Sequence, residues 1–226
     1  MPAGWRIDTT NAIATGDSGA MTPFTIPANL YLGRAVSAFC HGPYVGHKKA
    51  GNPDYLNLLK NTYNNRPKPI LTGAAQQLRD VLRVDLSIIL RNTGLEALVV
   101  CVVPRAKAED TYSADQLLFK STTQEVISEV SGLDDGTSYL RRHTNTKTTH
   151  LRGTTPNYNN DGPAPFRGIT AQTCHISNRI KRKDVLLIDD IYTHGVNIDE
   201  DAIQALLDAD AHSVTFYAVA RTQSKG

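Results

Sequence analysis

The chain lacks several features that would point to a common class of protein. No apolar run among its 226 residues approaches the length of a membrane span, and the N-terminus has no basic stretch followed by an apolar core. No Gly-x-Gly-x-x-Gly follows a strand-like run, which argues against a dinucleotide-binding oxidoreductase. The net charge of +2 excludes an overall surface for binding polyanions.

Cysteine is also scarce, with three widely separated residues. An odd number without paired spacing favours free thiols in a reducing, cytoplasmic compartment. Cys101 lies inside the apolar run 98–103, so we expect it in the core. Cys40, His41 and His47 lie near one another, but no second pair of ligands follows them. We therefore interpret these three as loop residues rather than as a zinc site.

The most informative part of the sequence is the segment 185–197. Four branched apolar residues, 185–188, run directly into two adjacent carboxylates, Asp189 and Asp190. A continuous apolar run of this kind is typical of a buried strand in a parallel sheet. Ligands of such sheets bind just beyond the carboxyl ends of the strands, which is where we expect the two acids.

A short loop with hydroxyl, glycine and amide side chains follows the acids and leads into a helical pattern over 198–209. We predict Asn197 as its N-cap and Glu200 as the partner in a capping box. Together with a further strand over 214–219, this forms a β-loop-α-β unit. Its acids could hold a sugar diol and its loop a phosphate. The alternative is a solvated strand end, or a metal site of some other α/β protein.

Residues 185–197 resemble the phosphoribosyl-pyrophosphate (PRPP) motif of type I phosphoribosyltransferases. The resemblance implies that Asp189 and Asp190 are the catalytic residues, holding the ribose 2- and 3-hydroxyls and contacting Mg²⁺, directly or through water. It also implies that the loop cradles the 5-phosphate with Thr193, His194, Gly195, Val196 and Asn197.

The loop departs from the usual motif at two positions. His194 stands where a small hydroxyl residue is usual, and Asn197 where threonine or serine is usual. Both side chains can still donate hydrogen bonds to a phosphate. Thr193 stands where the family sometimes has an acid that acts as a base toward the nucleobase, so we expect no base catalysis from this loop.

A second segment of interest follows the predicted strand 98–103. The resemblance implies that the next loop binds pyrophosphate through Arg105, Ala106 and Lys107. Cations at this place are physically suited to the charge that develops as the bond from C1 to pyrophosphate breaks. The alternative is that both cations are solvated loop residues.

A third segment, 138–152, is basic, rich in hydroxyl side chains and poor in apolar ones. We predict that it is mobile in the empty protein. The family closes a flexible loop over bound PRPP, and the resemblance places Arg141, Arg142 and Lys147 near the pyrophosphate on closure. The alternative is a basic surface loop that contacts nucleic acid or nothing.

These segments predict an α/β fold, with a type I phosphoribosyltransferase-like parallel sheet flanked by helices and an irregular N-terminal extension. We divide the chain into an extension with helices at 1–92, a possible hood or interface, and a phosphoribosyltransferase-like core at 93–226. Residues 1–29 show no period. The remaining patterns predict a strand over 31–39 and helices over 53–64, 73–92 and 112–130.

The resemblance is to the ComF-like or amidophosphoribosyltransferase-like branch of the family, without the N-terminal cysteine cluster of ComF-like proteins. It implies a cytoplasmic, homodimeric transferase of nucleotide metabolism that uses PRPP and Mg²⁺ and transfers ribose 5-phosphate to a nitrogen nucleophile. We do not expect glutamine-derived ammonia, because the chain has no room for the domain that supplies it. The alternative function is a catalytically weak sensor of PRPP or nucleotides linked to nucleic-acid processing, with basic segments that contact nucleic acid.

Overall fold

The computed structural model of the protein describes residues 21–149, 151 and 158–223. Most of the predicted N-terminal arm, and the end of the predicted basic loop at 150 and 152, lie outside this part of the chain. Eight strands are β1 (Thr22–Ile26), β2 (Val36–Tyr44), β3 (Leu98–Val102), β4 (Leu133–Asp135), β5 (Leu140–Arg142), β6 (Cys174–Ile176), β7 (Asp184–Tyr192) and β8 (Ser213–Thr222). Four α-helices are α1 (Asp54–Lys60), α2 (Lys68–Thr93), α3 (Leu118–Glu129) and α4 (Ile198–Asp208).

Six strands form one central sheet in the order β1-β2-β8-β7-β3-β4. Every neighbouring pair is parallel except β1 and β2, which are antiparallel. The strands β5 and β6 form a separate antiparallel pair. This architecture confirms an α/β class with a mostly parallel central sheet flanked by helices. Because β2 pairs with β8, the sheet includes strands from both sides of residue 92.

The central strands are buried because apolar side chains cover both of their faces. All of β3 is buried, as are residues 185–188 of β7. One face of the sheet packs against α4, and the other packs against α1, α2 and α3. The continuous apolar run in β7 is thus explained by burial on two sides, as a parallel sheet requires.

The long helix α2 covers the second face with an apolar stripe at helical spacing. Leu78, Leu82, Leu86 and Ile89 on this stripe are fully buried. A proline in its first turn fits the helix start, and Gly94 ends it in a left-handed conformation with φ +66°. The predicted helix was correct in type but began five residues too late.

The N-terminal predictions need correction. The strand predicted over 31–39 has the wrong bounds, because the observed strand β2 spans Val36–Tyr44. The described part of the predicted irregular arm contains the edge strand β1, which tolerates Pro23 because an edge strand can leave one backbone position unpaired. The helix predicted over 112–130 is shorter than expected. It is preceded by short 3₁₀ turns, one of them closed by a capping box between Ser113 and Gln116.

Within the described residues, no helix combines the length and the apolar character needed to cross a membrane.

Candidate functional site

The two acids of the motif lie inside β7 rather than beyond it. The strand continues through Asp189 and Asp190 and ends at Tyr192, so the predicted strand end was too early. Because side chains alternate along a strand, the two carboxylates point to opposite faces of the sheet. Asp189 contacts Asp199 of α4, whereas Asp190 reaches the end of α1 on the other side.

Asp189 shares its surroundings with a second carboxyl group, that of Asp199. Burial, followed by the charge of Asp190, raises the pKa of Asp189 to about 7. Burial and the neighbouring Asp189 raise the pKa of Asp199 well above its usual range, so Asp199 stays protonated and donates a hydrogen bond to Asp189. The Oδ1 atom of Asp199 is buried without a hydrogen-bond partner in the described residues.

Asp190 is balanced by a cation that sequence reasoning missed. The Nζ atom of Lys60, at the end of α1, lies 3.1 Å from Oδ2 of Asp190, and both side chains are mostly buried. Burial lowers the pKa of Lys60, but the ion pair with Asp190 outweighs it and raises that pKa overall. A lysine in the last turn of a short helix gives no local signal of this role, because its partner lies far away in the sequence.

The backbone of the loop after β7 is open at Gly195. Gly195 has φ +81°, and an added Cβ atom would meet nothing within 4 Å. The amide of Val196 donates to the carbonyl oxygen of Thr193 at 3.1 Å, which closes a turn. In the described part of the chain, the amides of Gly195 and Ile198 have no protein acceptor, so they are available to a ligand at the start of α4.

The predicted capping box at this helix start is wrong. Asn197 is left-handed with φ 65°, and its side chain makes no cap hydrogen bond. Instead it donates to the carbonyl oxygen of Gly195 at 3.1 Å and accepts from Asn29 at 3.3 Å. Glu200 does not turn back to the helix start, because its carboxylate accepts a hydrogen bond from the Tyr192 hydroxyl at 3.0 Å.

The acids in the first turn of α4 turn inward. Asp199, Glu200 and Asp201 are all buried. Asp201 accepts the amides of Gly168 and Ile169 at 2.8 and 2.9 Å. The three acids therefore serve contacts inside the protein rather than crowding the phosphate loop.

A cavity of about 180 Å³ opens where β3 and β7 end. It brings both acids and Lys60 together with most of the residues predicted to bind pyrophosphate. These lining residues are Lys60, Asp189, Asp190, Arg105, Ala106, Lys107, Arg142 and Lys147. None of the predicted phosphate-binding residues 193–197 lines the cavity, although Ile198, the residue that follows them, does. The predicted residue Arg141 is exposed on β5 instead.

Arg105 holds the cavity wall together through backbone contacts. Its guanidinium donates to the carbonyl oxygen of Lys60 at 2.6 Å and to that of Gln116, and it stacks over the ring of Tyr112 at 4.3 Å. These bonds tie the loop after β3 to the end of α1, which fixes the backbone that carries Lys60. Arg105 therefore positions Lys60 while adding its charge to the wall.

Arg142 is placed differently from the sequence prediction. It ends β5 instead of lying in a continuous loop, and it is only 2% exposed. Its guanidinium donates to the carbonyl oxygens of Arg105 and Gly168 at 2.8 and 2.9 Å. Arg142 thus holds in place the loop that follows β3 and carries Arg105 and Lys107, here called the cationic loop. Lys147, in contrast, is exposed at the cavity.

No protein-family model matches the chain, and no curated protein is significantly similar to it.

Proposed function

We propose that the protein is a phosphoribosyltransferase with a type I fold, which uses PRPP and Mg²⁺ to transfer ribose 5-phosphate to a nitrogen nucleophile. The observation that carries this proposal is the shared cavity. It joins the acid pair of β7 to the cationic loop after β3, next to available amides at the start of α4. Because β3 and β7 are parallel neighbours, both loops leave the sheet at the same edge.

Each part of PRPP has a chemically suitable partner at this edge. The carboxylates of Asp189 and Asp190 accept hydrogen bonds from the ribose hydroxyls. The turn 193–197 and the helix behind it suit the 5-phosphate, because open amides and the dipole of α4 favour an anion. Lys107, with the backbone of Ala106, meets the pyrophosphate group.

The acids also suit a bound Mg²⁺ ion. Carboxylate oxygens are ligands that Mg²⁺ prefers, and the ion keeps much of its water. In the part of the chain that the structure describes, no group of three or more His, Cys, Asp or Glu residues is arranged so that it could hold a metal ion. Asp189 and Asp190 would therefore hold the ion jointly with substrate oxygens and water. When bound, Mg²⁺ would neutralise charge on the pyrophosphate.

The reaction that follows is a substitution at C1 of the ribose. The bond from C1 to the pyrophosphate oxygen breaks, its electron pair leaves with pyrophosphate, and the nitrogen of the acceptor forms the new bond. Lys107 stabilises the charge on the leaving group, while the acids fix the sugar in place. Because Thr193 cannot act as a base, the proton on the acceptor nitrogen passes to solvent or to the departing pyrophosphate.

Calorimetric titration of PRPP, with and without Mg²⁺, tests this proposal. We expect the wild type to bind in a Mg²⁺-dependent manner and the double variant Asp189→Asn with Asp190→Asn to bind about 100-fold more weakly, since two charged hydrogen-bond acceptors are lost. A matched double variant, Asp110→Asn with Asp134→Asn, removes two exposed carboxylates and should bind normally. Absence of PRPP binding by the folded wild type would overturn the proposal.

A sensor of PRPP that contacts nucleic acid is the second candidate function. The observation that favours it is a set of exposed cations on β5 and on the connection from β6 to β7: Arg141, Arg179, Lys181, Arg182 and Lys183. Salt-sensitive binding of nucleic acid that responds to PRPP, without release of pyrophosphate in the presence of nitrogen acceptors, would support this function over the enzyme.

A further inference from the structure

Most cations that line the cavity are already held by acceptors of the protein. The Nζ atom of Lys107 lies 2.8 Å from the carbonyl oxygen of Asp161 and 3.2 Å from Oδ1 of the same residue. The guanidinium groups of Arg105 and Arg142 donate to backbone carbonyl oxygens. These three cations add charge to the wall, but protein acceptors fix their orientation.

Two further lysines of the lining are less suited to a ligand inside the cavity. Lys120 forms an ion pair with Glu109 at 2.7 Å. Lys147 is exposed at the cavity, so water screens its charge.

Lys60 differs from these cations, because its one ionic partner is an acid of the ligand site itself. Its Nζ atom lies 3.1 Å from Oδ2 of Asp190 and forms no other hydrogen bond or ion pair within the described residues. An ammonium group has three N–H donors, so two remain for a ligand. The Lys60 side chain is 27% exposed and lines the cavity, which makes these donors accessible.

The backbone around Lys60 is held by contacts that do not depend on its ion pair. The carbonyl oxygen of Lys60 accepts the Arg105 guanidinium at 2.6 Å, and the Gln116 side chain donates to the carbonyl oxygen of Asn61 at 3.2 Å. The end of α1 therefore stays next to the cationic loop when the Lys60 side chain is changed.

We propose that Lys60 is a further substrate-binding residue, whose ammonium group donates to the pyrophosphate group of the ligand while it remains paired with Asp190. This rests on the proposed function, in which the acids hold the ribose and the cationic loop meets the pyrophosphate. Lys60 contacts both parts of that site, Asp190 through its side chain and Arg105 through its carbonyl oxygen. A cation between them stabilises the negative charge that pyrophosphate gains as its bond to C1 breaks.

Calorimetric titration of inorganic pyrophosphate, without Mg²⁺, into the wild type and the double variant Lys60→Gln with Asp190→Asn tests the proposal. The double variant removes both charges of the pair, so the net charge of the cavity is unchanged and no buried charge loses its partner. We expect pyrophosphate affinity to fall about fivefold, because a charged donor to the anion is lost. Equal affinity of the two proteins would mean that Lys60 only balances Asp190, and the proposal would be wrong.

The matched control is the double variant Lys181→Gln with Asp210→Asn. It removes an exposed ion pair of 3.9 Å whose residues do not line the cavity, and it should leave pyrophosphate affinity unchanged.

A second measurement needs no variant. Saturating pyrophosphate should slow the acylation of Lys60 by an activated ester about fivefold in the wild type, followed by peptide mass spectrometry, because the bound anion covers the amine. The exposed Lys49 should react at the same rate with and without pyrophosphate. Acylation of Lys60 that pyrophosphate does not slow would also contradict the proposal.

The proposed function fails separately from this inference. If pyrophosphate binds through Lys60 but PRPP does not bind, the role of Lys60 stands and the transferase does not. If PRPP binds but the double variant binds pyrophosphate as the wild type does, the transferase stands and the role of Lys60 does not.

Discussion

The two neighbouring acids of β7 differ in almost every physical respect. Asp190 faces Lys60 at 3.1 Å and is balanced by its charge. Asp189 faces another carboxyl group, Asp199, and its pKa rises to about 7. The difference arises because a strand turns adjacent side chains to opposite faces. Two identical residues that look like a pair in the sequence therefore have different electrostatic roles.

This asymmetry bears on how a ligand would bind. Asp190 already has a cationic partner in Lys60, which occupies one of its carboxylate oxygen atoms. Asp189 gains most from a ligand that brings positive charge or hydrogen-bond donors, because these favour its ionised form. We therefore expect bound Mg²⁺ and the ribose hydroxyls, which contact both acids in the proposed site, to favour the ionised form of Asp189 in particular.

Removing Lys60, the cation paired with Asp190, should have the largest effect on the free energy of unfolding. In Lys60→Met, Asp190 keeps its charge in a mostly buried place without a cation, so we expect the free energy of unfolding to fall by about 3 kcal/mol. Denaturant unfolding at pH 7 measures the change. The double variant Lys60→Met with Asp190→Asn should regain most of it. If the double variant is no more stable than Lys60→Met, the loss comes from packing around α1 rather than from the unpaired charge.

The contribution of Asp189 to the free energy of unfolding should depend on pH. The folded state holds a proton on Asp189 up to about pH 7, whereas the unfolded chain releases it near pH 4. Asp189 therefore contributes a loss of stability as pH rises from about 4 to about 7, and no further loss at higher pH.

Asp189→Asn has no such proton to lose. Relative to the wild type we expect it to be equally stable at pH 4 and about 2 kcal/mol more stable at pH 8. Denaturant unfolding at the two pH values measures this, with the exposed Asp134→Asn as a control whose difference should stay flat. A stability difference for Asp189→Asn that does not change with pH would mean that Asp189 is ionised throughout.

The parts of this site that depend on local patterns could be predicted from the sequence. The apolar run of β7, the helix α4 and the strand before the cationic loop all follow from hydrophobic periodicity. The boundary of β7 could not be predicted, because the strand continues through its acids by pairing with β8.

The partners of the predicted residues could not be predicted either. Lys60 and Asp161 meet Asp190 and Lys107 only because the sheet brings distant segments together. The acids of α4 resemble a solvated first turn in sequence, and only the packing of α4 on β7 shows that they turn inward. The residues that line the site were therefore easier to predict than the residues that contact them, since those contacts depend on tertiary structure.

The smallest expected effect is the difference in unfolding free energy between variants of two acids in the same turn of α4. Asp199 is already protonated and donates to Asp189, so the amide of Asp199→Asn can replace it with a change of no more than about 0.5 kcal/mol in unfolding free energy. Burial raises the pKa of Asp201 as well, but the Oδ2 atom of Asp201 accepts two backbone amides, so Asp201→Asn should destabilise the protein by about 1 kcal/mol. Thermal unfolding of both variants at pH 7 gives the comparison. Equal losses would show that Asp199 is ionised, and the contrast between the two faces of β7 would then disappear.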